Sequence, residues 1–367
     1  MSDAHERSEL VEALRQVGFF AQPSADCIDF NGELRVSGHR LQATLRFENA
    51  DLLEAPKLIL HDAAALGRHV IPHLEESGEL CAFDRRQYLF DPYRAAESCL
   101  GILTKAASDL ERNCGKRAED EIALELPQHF GGRVVTTQFA KYNGPLKVTA
   151  SGDLNATVLS AASPGDRTRA FSVSTEAVMS FTADQRRPET LGEFIEWAGH
   201  WDHDLPSKII SRLSRGRSDA LEQTVIVCAA NGQVGVRLVP DALPPKNRQV
   251  YGNMGWSKLA KMELVRDWPI RRLQGRRGDL EFILSRNGGV MGPLSDRQIL
   301  LIGCGSIGGY LGLTLGQLGA GTGSGVLTLC DPERLSTTNT ARHILGAESV
   351  DLPKAAELKK RILSHLP

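Results

Sequence analysis

A glycine-bearing segment near the end of the sequence constrains the fold more than any other feature. The apolar run Gln298–Ile302 is typical of a buried β-strand, and three glycines follow it directly. Gly303 permits a tight turn, Gly305 lets a phosphate group approach the backbone, and Gly308 lets the next helix pack closely on the strand. The spacing therefore predicts a strand, a phosphate-binding loop and a helix, in that order.

The residues after this loop complete a β-α-β unit. A helix is predicted from Ser306 to Leu318, and its first N–H groups and positive dipole end would face the phosphate. A second strand is predicted over Val326–Cys330, and it ends at Asp331, which is placed to accept hydrogen bonds from ribose hydroxyls. Many nucleotide-binding proteins share such a glycine loop, so the loop alone does not define the reaction.

Three polar residues that follow distinguish this unit from a dehydrogenase fold. Asn339 comes eight residues after Asp331, Arg342 three residues later, and Lys354 directly after Pro353. The set resembles the ATP-binding signature of the ThiF/MoeB/ubiquitin-activating superfamily, which has an Asp, an Asn, an Arg and a phosphate-contacting Lys at these places. The chemistry agrees, since Arg342 and Lys354 can neutralise phosphate charge and Asn339 can donate a neutral hydrogen bond. A structural Rossmann half with surface Arg and Lys is the alternative.

The composition limits the classes of partner and compartment. The chain has 367 residues, enough for two or three domains, and its net charge of −2 favours neither nucleic acid nor an anionic membrane as a partner. No apolar run reaches the length of a membrane span, and the polar start does not resemble a signal peptide. The seven cysteines are scattered without a C-x-x-C pair, so we expect reduced thiols in the cytoplasm.

The first part of the chain combines helical and strand patterns. The predicted helices cover Glu6–Val17, 91–110 and Ala118–Leu126, and the predicted strands are Glu33–Val36, His39–Phe47 and Lys57–Leu60. Asp91 followed by Pro92 is typical of a helix start. This order of elements predicts an α+β layout.

The loop between the last of these strands and the next helix carries a second motif. Four of its residues have the same spacing as in the active-site segment of ubiquitin-conjugating enzymes: Pro72, Gly78, Leu80 and Cys81. The segment resembles that family, in which His-Pro-Asn precedes a Gly, an apolar residue and the catalytic Cys. Two positions depart, since Ile71 replaces the motif His and His73 replaces its Asn. The helical stretch from Tyr88 to Leu110 falls where that family has its post-cysteine helix.

The resemblance implies that Cys81 carries an acyl group as a thioester. Such a carrier needs a partly exposed thiolate and one hydrogen-bond donor to the oxyanion when an amine attacks. The imidazole N–H of His73 can replace the amide donor of the family, and it can also act as a base. Both roles stay open for His73.

Other conspicuous residues have ordinary explanations. A single Cys is usually a small buried hydrophobe, and we expect this of Cys99, Cys228, Cys304 and Cys330. His200 and His203 lack a third ligand nearby, so no metal site is predicted there. A basic run is expected to form solvated surface, and its members are Arg271, Arg272, Arg276 and Arg277. In activating enzymes an Arg-bearing segment before the glycine loop can reach the nucleotide, which is the second interpretation of this run.

These patterns predict three regions. Residues 1–145 form an α+β ubiquitin-conjugating-like domain, residues 146–285 a mixed linker domain of unknown role, and residues 286–367 the first half of an α/β Rossmann-like, ThiF-type adenylation domain. A conjugating-type module fused to an activating-type fold resembles the fused enzymes of bacterial ubiquitin-like conjugation found in anti-phage (CBASS) operons. That family uses ATP and Mg²⁺ to convert the C-terminal carboxylate of a protein to an acyl-adenylate, which passes through cysteines to a target amine.

The resemblance also carries expectations about completeness and partners. The Mg²⁺-binding Asp of the family would lie beyond Pro367, so we expect the chain to be a fragment with an incomplete adenylation site. Expected partners are a ubiquitin-like modifier or a protein with a conjugated C-terminus, such as a cyclic-oligonucleotide synthase, and a second copy of the activating fold in a homodimer. Two alternatives stay open: an NAD-dependent Rossmann oxidoreductase, and a non-catalytic scaffold with an inactive conjugating fold.

Overall fold

The computed structural model describes most of the chain. The described residues are 2–23, 27–49, 52, 54–81, 90–115, 117–151, 156–163, 168–214, 223–238, 265–288 and 294–365. They form two compact units, the first made of residues 1–135, 141–148 and 162–276 and the second of residues 136–140, 149–161 and 277–367. The divisions predicted at residues 145 and 285 remain predictions.

The elements are numbered here in chain order. The helices are α1 (Ser2–Gln16), α2 (Ala95–Asn113), α3 (Ala118–Leu124), α4 (Leu126–Phe130), α5 (Leu191–Trp201), α6 (Leu205–Ser214), α7 (Leu280–Gly288), α8 (Ser306–Gln317) and α9 (Lys354–Leu363). The strands are β1 (Phe20–Pro23), β2 (Ile28–Val36), β3 (His39–Phe47), β4 (Lys57–Leu60), β5 (Glu79–Leu80), β6 (Arg133–Thr137), β7 (Pro145–Ser151), β8 (Ala156–Ala161), β9 (Ala170–Ser174), β10 (Thr224–Ala229), β11 (Gly232–Leu238), β12 (Ile270–Arg277), β13 (Gln298–Ile302) and β14 (Val326–Cys330). None of the described helices is both long and apolar enough to span a membrane.

An antiparallel sheet in the order β1-β2-β3-β4-β5 forms the first layer of the first unit. The β2–β3 turn has two residues with positive φ, Ser37 at 48° and Gly38 at 83°, which is the turn that suits the twist of a hairpin. Alternate residues of β3 are buried, and helices α1 and α2 contribute to the same core through Leu14 and Ile102. The predicted strands are confirmed here, although β2 begins earlier, at Ile28.

The helix predicted to begin at Asp91 is also confirmed. The Asp91 carboxylate accepts a hydrogen bond from the Tyr93 N–H at 3.0 Å, and a 3₁₀ turn over Pro92–Arg94 leads into α2. The predicted start near Tyr88 lies outside the described residues.

Helices α3 and α4 are anchored on a second core in the first unit. The Phe130 ring of α4 lies 5.1 Å from that of Trp197 in α5, and Trp197 stacks on Phe181 at 5.2 Å. The same core contains residues of β9, β10 and β11, of which β10 and β11 form a hairpin with its turn at Asn231 and Gly232. This anchoring fixes where the polar residues of α3 and α4 point.

The second unit contains the predicted nucleotide fold. Strands β13 and β14 are parallel, and α8 and α9 pack on them through a small core that includes Cys304 and Leu358. The prediction of a fully buried β13 is wrong, because Leu300 and Ile302 are 61% and 76% exposed. Within the described residues the two helices cover one face of the pair of strands, which leaves alternate side chains at the surface. Cys330 is exposed for the same reason, contrary to expectation.

Candidate functional site

Cys81 lies at the end of a short hairpin that begins at His73. Leu74 and Leu80 form an antiparallel bridge, and the Cys81 N–H donates a hydrogen bond to the His73 carbonyl at 2.8 Å. His73 and Cys81 are therefore neighbours on adjoining strands of one hairpin, which explains the spacing of the motif. The side chain of Cys81 is exposed, as a carrier that must meet protein partners requires.

Backbone geometry fixes the hairpin on the edge of the first sheet. Gly78 has a φ of 85°, and its carbonyl accepts a hydrogen bond from the Leu60 N–H at 2.8 Å. A Cβ at Gly78 would lie 2.5 Å from the Leu60 carbonyl oxygen, so only glycine fits. His73 has a φ of 60°, in the left-handed region where Asn, Asp and His are enriched among non-glycine residues. The change from the family's Asn to His73 thus preserves a residue type that tolerates this backbone.

The imidazole of His73 faces two carboxylates of the α3 segment. Its Nδ1 lies 3.5 Å from Glu125 Oε2 and its Nε2 lies 4.0 Å from Glu121 Oε2. Pairing with Glu125 raises the pKa of His73 against the opposing effect of burial, and the same pairing lowers the pKa of Glu125. The pairing with Glu125 therefore shifts the protonation equilibrium of His73 toward the imidazolium. Both nitrogens face carboxylates, so the oxyanion-donor and base roles of His73 both remain predictions.

A second histidine also lies beside the Glu125 carboxylate, but its pKa is shifted in the opposite direction to that of His73. His129 of α4 is buried, and its Nε2 lies 3.8 Å from Glu125 Oε2. That nitrogen has no hydrogen-bond partner within the described parts of the chain. Burial lowers the pKa of His129 to about 4, so its ring is neutral near pH 7. The charge of Glu125 is then paired with His73 rather than with His129.

The tip of the hairpin is tied to β12 by a residue of the basic run. Glu76 pairs with Arg272, whose side chain is only 13% exposed. Arg277 pairs with Asp279 at 2.7 Å. The expectation that the whole run is solvated is therefore wrong for these two residues. Each forms an ion pair with a nearby carboxylate, which keeps its guanidinium group partly buried. Arg271 and Arg276 are exposed, as expected.

The glycine loop of the second unit has the predicted geometry. Gly303 has a φ of 88°, and Gly305 is the extended residue that precedes the first turn of α8. A Cβ on Gly308 would overlap the carbonyl oxygen of Gly303. The loop therefore closes tightly between β13 and α8, with the N-terminal end of the helix directed at the space above it.

Two side chains hold this loop through the backbone of Cys304. Its N–H donates to Asp331 Oδ2 at 2.6 Å, and its carbonyl accepts a hydrogen bond from His343 Nε2 at 2.7 Å. Because His343 Nδ1 accepts the Leu345 N–H at 3.1 Å, the ring proton must be on Nε2. Sequence reasoning missed His343, since its partner is a carbonyl that no sequence pattern marks. Asp331 shapes the loop, and its predicted ribose contact remains a prediction.

A cleft of about 770 Å³ opens beside the loop and brings four predicted residues together. These are Gly305, Asn339, Arg342 and Lys354. Among the described lining residues Arg334 is a third cation, and Glu333 is the only carboxylate. Lys354 is buried and pairs with Glu333. Three cations against one anion, beside a helix N-terminus, make a cleft that favours a phosphate-bearing ligand.

Comparisons with known proteins agree with this geometry. Residues 283–367 match the ThiF family. Three relatives are each named ATP-dependent ubiquitin transferase-like protein Cap2. The protein of Escherichia coli (strain TW11681) is 30% identical over 196 residues, covering 49% of this chain and 32% of the relative. That of Pseudomonas aeruginosa (strain BWHPSA011 / Pa011) is 24% identical over 411 aligned positions, covering 100% of this chain and 70% of the relative. That of Vibrio cholerae serotype O1 (strain ATCC 39315 / El Tor Inaba N16961) is 42% identical over 90 residues, covering 24% of this chain and 15% of the relative.

These similarities confirm the predicted resemblance to Cap2-like fusion proteins. They also confirm the ThiF-type part of the fold at the C-terminal end of the chain. The ubiquitin-conjugating likeness of the N-terminal region is not tested by them and remains a prediction.

Proposed function

Since the chain is similar along its whole length to an ATP-dependent ubiquitin transferase-like protein, we propose that it takes part in ATP-dependent activation and conjugation of a ubiquitin-like protein. In this proposal the second unit binds ATP, and Cys81 carries the acyl group as a thioester before its transfer to an amine. The cleft lined by Gly305, Asn339, Arg342 and Lys354 is the single observation that carries the proposal.

The cleft suits the first chemical step. In adenylation an oxygen of the C-terminal carboxylate attacks the α-phosphorus of ATP, and the bond to pyrophosphate breaks. Negative charge grows on the phosphate oxygens during that step, and Arg342 and Lys354 are placed to stabilise it. Lys354 must exchange its Glu333 partner for a phosphate oxygen, a charge-assisted contact of the same kind.

Mg²⁺ is part of the reaction that the resemblance implies, and Mg²⁺ prefers oxygen ligands such as carboxylates and phosphates. Across the described residues no three His, Cys, Asp or Glu side chains converge as a metal site would require. The single carboxylate of the cleft, Glu333, is paired with Lys354. The described residues therefore do not form a Mg²⁺ site.

The Cys81 hairpin suits the carrier step. The Cys81 thiolate attacks the carbonyl of an incoming thioester, a new C–S bond forms, and the donor thiolate leaves. An amine of the target then attacks, and the Cys81 thiolate is released. An exposed sulfur at the end of a rigid hairpin supports both encounters.

We further propose that the modifier is a ubiquitin-like protein or a protein with a conjugated C-terminus, such as a cyclic-oligonucleotide synthase. Cytoplasmic anti-phage defence and a homodimer through the activating fold belong to the same proposal.

Calorimetric titration with ATP and with NAD tests the nucleotide part. ATP should bind more tightly than NAD, because the three cations of the cleft match a triphosphate better than a pyrophosphate bridge. Arg342→Ala should weaken ATP binding by about 10- to 100-fold, the worth of one charge-assisted contact. Arg361→Ala, an exposed cation of α9 outside the cleft, is the matched control and should bind ATP like the parent chain. Tighter binding of NAD would favour the oxidoreductase instead.

A further inference from the structure

We propose that Glu125 is a positioning residue for transfer from Cys81, because its carboxylate pairs with the imidazole of His73, the residue that neighbours Cys81 across the hairpin. The inference rests on the proposed function for its reaction, and on the geometry of the first unit for the contact itself. It names a residue that no motif in the sequence marks.

The contacts form a continuous path from Glu125 to Cys81. Glu125 Oε2 lies 3.5 Å from His73 Nδ1, and the His73 carbonyl accepts the Cys81 N–H at 2.8 Å. This backbone hydrogen bond sets His73 and Cys81 side by side across the hairpin, so in this proposal a charge on the His73 ring acts on the sulfur of Cys81 and on an acyl group attached to it.

The backbone that carries Glu125 is held firmly. Its neighbours Ile122 and Leu126 are fully buried in the aromatic core, and the Ala123 carbonyl accepts a hydrogen bond from Asn231 Nδ2 at 2.6 Å. The Glu125 carbonyl itself accepts the N–H of His129 at 3.2 Å. A carboxylate on such a support keeps its place without ordering a loop during the reaction, which is what a positioning residue needs.

The other charged groups near His73 reinforce the cation. Glu121 lies 4.0 Å from Nε2, and Asp109 of α2 adds a smaller favourable field although it also pairs with Lys105. Among the described residues His129 opposes the cation when it is charged, and burial keeps it neutral by lowering its pKa to about 4. Glu125 is nearest of these carboxylates, so its removal should have the largest effect.

The chemistry gains from a cation at two moments. When an amine nitrogen attacks the thioester carbonyl, the new oxyanion is stabilised by the imidazolium. When the C–S bond breaks, the electron pair returns to Cys81 as a thiolate, which the same cation stabilises. The amine proton is lost to solvent, and His73 ends each cycle in its starting protonation state.

The first test measures alkylation of Cys81 by iodoacetamide against pH, with peptide mass spectrometry to follow that cysteine alone. Glu125→Gln should slow alkylation about three- to tenfold near neutral pH, because fewer His73 rings are charged and less thiolate forms. The two rates should converge at low pH, where His73 is charged in both proteins, and at high pH, where the thiolate is complete. Asp120→Asn, at an exposed acid of α3, the helix that ends directly before Glu125, is the matched control and should follow the parent curve.

A double substitution separates positioning from a general structural effect. In a His73→Asn background, Glu125→Gln should change the alkylation profile no further, since the cation it acts through is gone. Glu125→Asp keeps the carboxylate and should give an intermediate alkylation profile. It provides a second variant for the test if Glu125→Gln does not fold. An equal slowing at every pH, an unchanged profile in Glu125→Gln, or an effect that persists in His73→Asn would each overturn the proposal. Alkylation needs neither ATP nor a modifier, so failure to form a thioester would contradict the proposed function without touching this result.

Discussion

The glycine loop of the second unit and the Cys81 hairpin both use a tight backbone turn to present a reactive group, but they are held in different ways. The glycine loop is closed by the tight contact of Gly303 with Gly308, and the side chains of Asp331 and His343 then hold it through the Cys304 backbone. The hairpin is fixed beside its tip by Gly78, while the groups that tune it come from distant elements.

This difference decides which site a sequence can reveal. A loop that depends on local backbone geometry leaves a glycine pattern in the sequence. A site that depends on a carboxylate 52 residues along the chain, as His73 depends on Glu125, leaves none. The electrostatics of the hairpin therefore become visible only after α3 and α4 have been placed on the aromatic core.

The largest expected effects come from alanine substitutions at two glycines of the same loop, and the two substitutions should differ in their consequences. In Gly308→Ala the new Cβ overlaps the Gly303 carbonyl oxygen, so the loop should not close on α8. We therefore expect the second unit to lose both ATP binding and its cooperative unfolding transition. Gly305→Ala should fold normally, since its Cβ meets nothing within 4 Å, and yet lose ATP affinity about tenfold or more because the methyl group occupies the path of the phosphate. Thermal unfolding and calorimetry measure the two effects. Parent-like affinity in Gly305→Ala would show that no phosphate approaches this residue.

The hairpin offers the corresponding test for the first unit. Gly78→Ala places a non-glycine residue at a φ of 85° and a Cβ 2.5 Å from the Leu60 carbonyl, so we expect a loss of about 4 kcal/mol in the free energy of unfolding. Urea denaturation measures the change. Gly101→Ala, in α2 with no atom within 4 Å of its Cβ, is the control and should gain up to about 1 kcal/mol. Similar midpoints for the two variants would contradict a tightly fixed hairpin.

The pH dependence of stability should separate the two histidines that share Glu125. The pKa of His129 is lowered to about 4, so the unfolded chain takes up its proton first as the pH falls from about 6.5, and stability is lost between there and about pH 4. The expected loss is about 2–3 kcal/mol. The pKa of His73 is raised, so its favourable contribution to the free energy of unfolding is present at low pH. That contribution is lost as the pH rises through the raised pKa.

Chemical denaturation at several pH values, with His129→Gln and the exposed His39→Gln as control, measures this window. His129→Gln should remove most of the slope between pH 6.5 and 4, whereas His39→Gln should keep it. An unchanged slope in His129→Gln would mean that His129 is not the buried neutral group that holds Glu125 free for His73.

The smallest effect concerns the backbone of His73. Its φ of 60° is tolerated better by Asn than by Ala, so His73→Asn should be about 1 kcal/mol more stable than His73→Ala. Differential scanning calorimetry on the two variants gives the comparison. Equal stabilities would indicate that the left-handed turn is not maintained in solution.

Much of the fold follows from sequence patterns where one local rule dominates. Strands β3, β4, β13 and β14 and the start of α8 lie where the patterns predict them, because alternation, apolar runs and glycines act within a few residues. The Asp91 cap is of the same kind. Exposure of Leu300 and Ile302 could not be predicted, since burial depends on which elements cover a strand.

The candidate sites follow the same division. The glycine pattern marks Gly305, the family resemblance marks Asn339, Arg342 and Lys354, and the fold brings the four to one cleft. Arg272 is predicted only as part of the basic run, and Glu125 is not predicted at all, because an Arg or a Glu in an exposed-looking segment gives no sign of the partner it will meet. His343 was missed for a related reason, as its role is to hold a backbone carbonyl.

The most direct test of the account is whether Cys81 carries an acyl group. The chain would be mixed with a ubiquitin-like protein that a complete activating enzyme has charged, and the products would be separated with and without reductant. We predict a reductant-sensitive adduct in the parent chain and in Cys330→Ala, which removes another exposed cysteine, and no adduct in Cys81→Ala. An adduct that persists in Cys81→Ala would contradict the account.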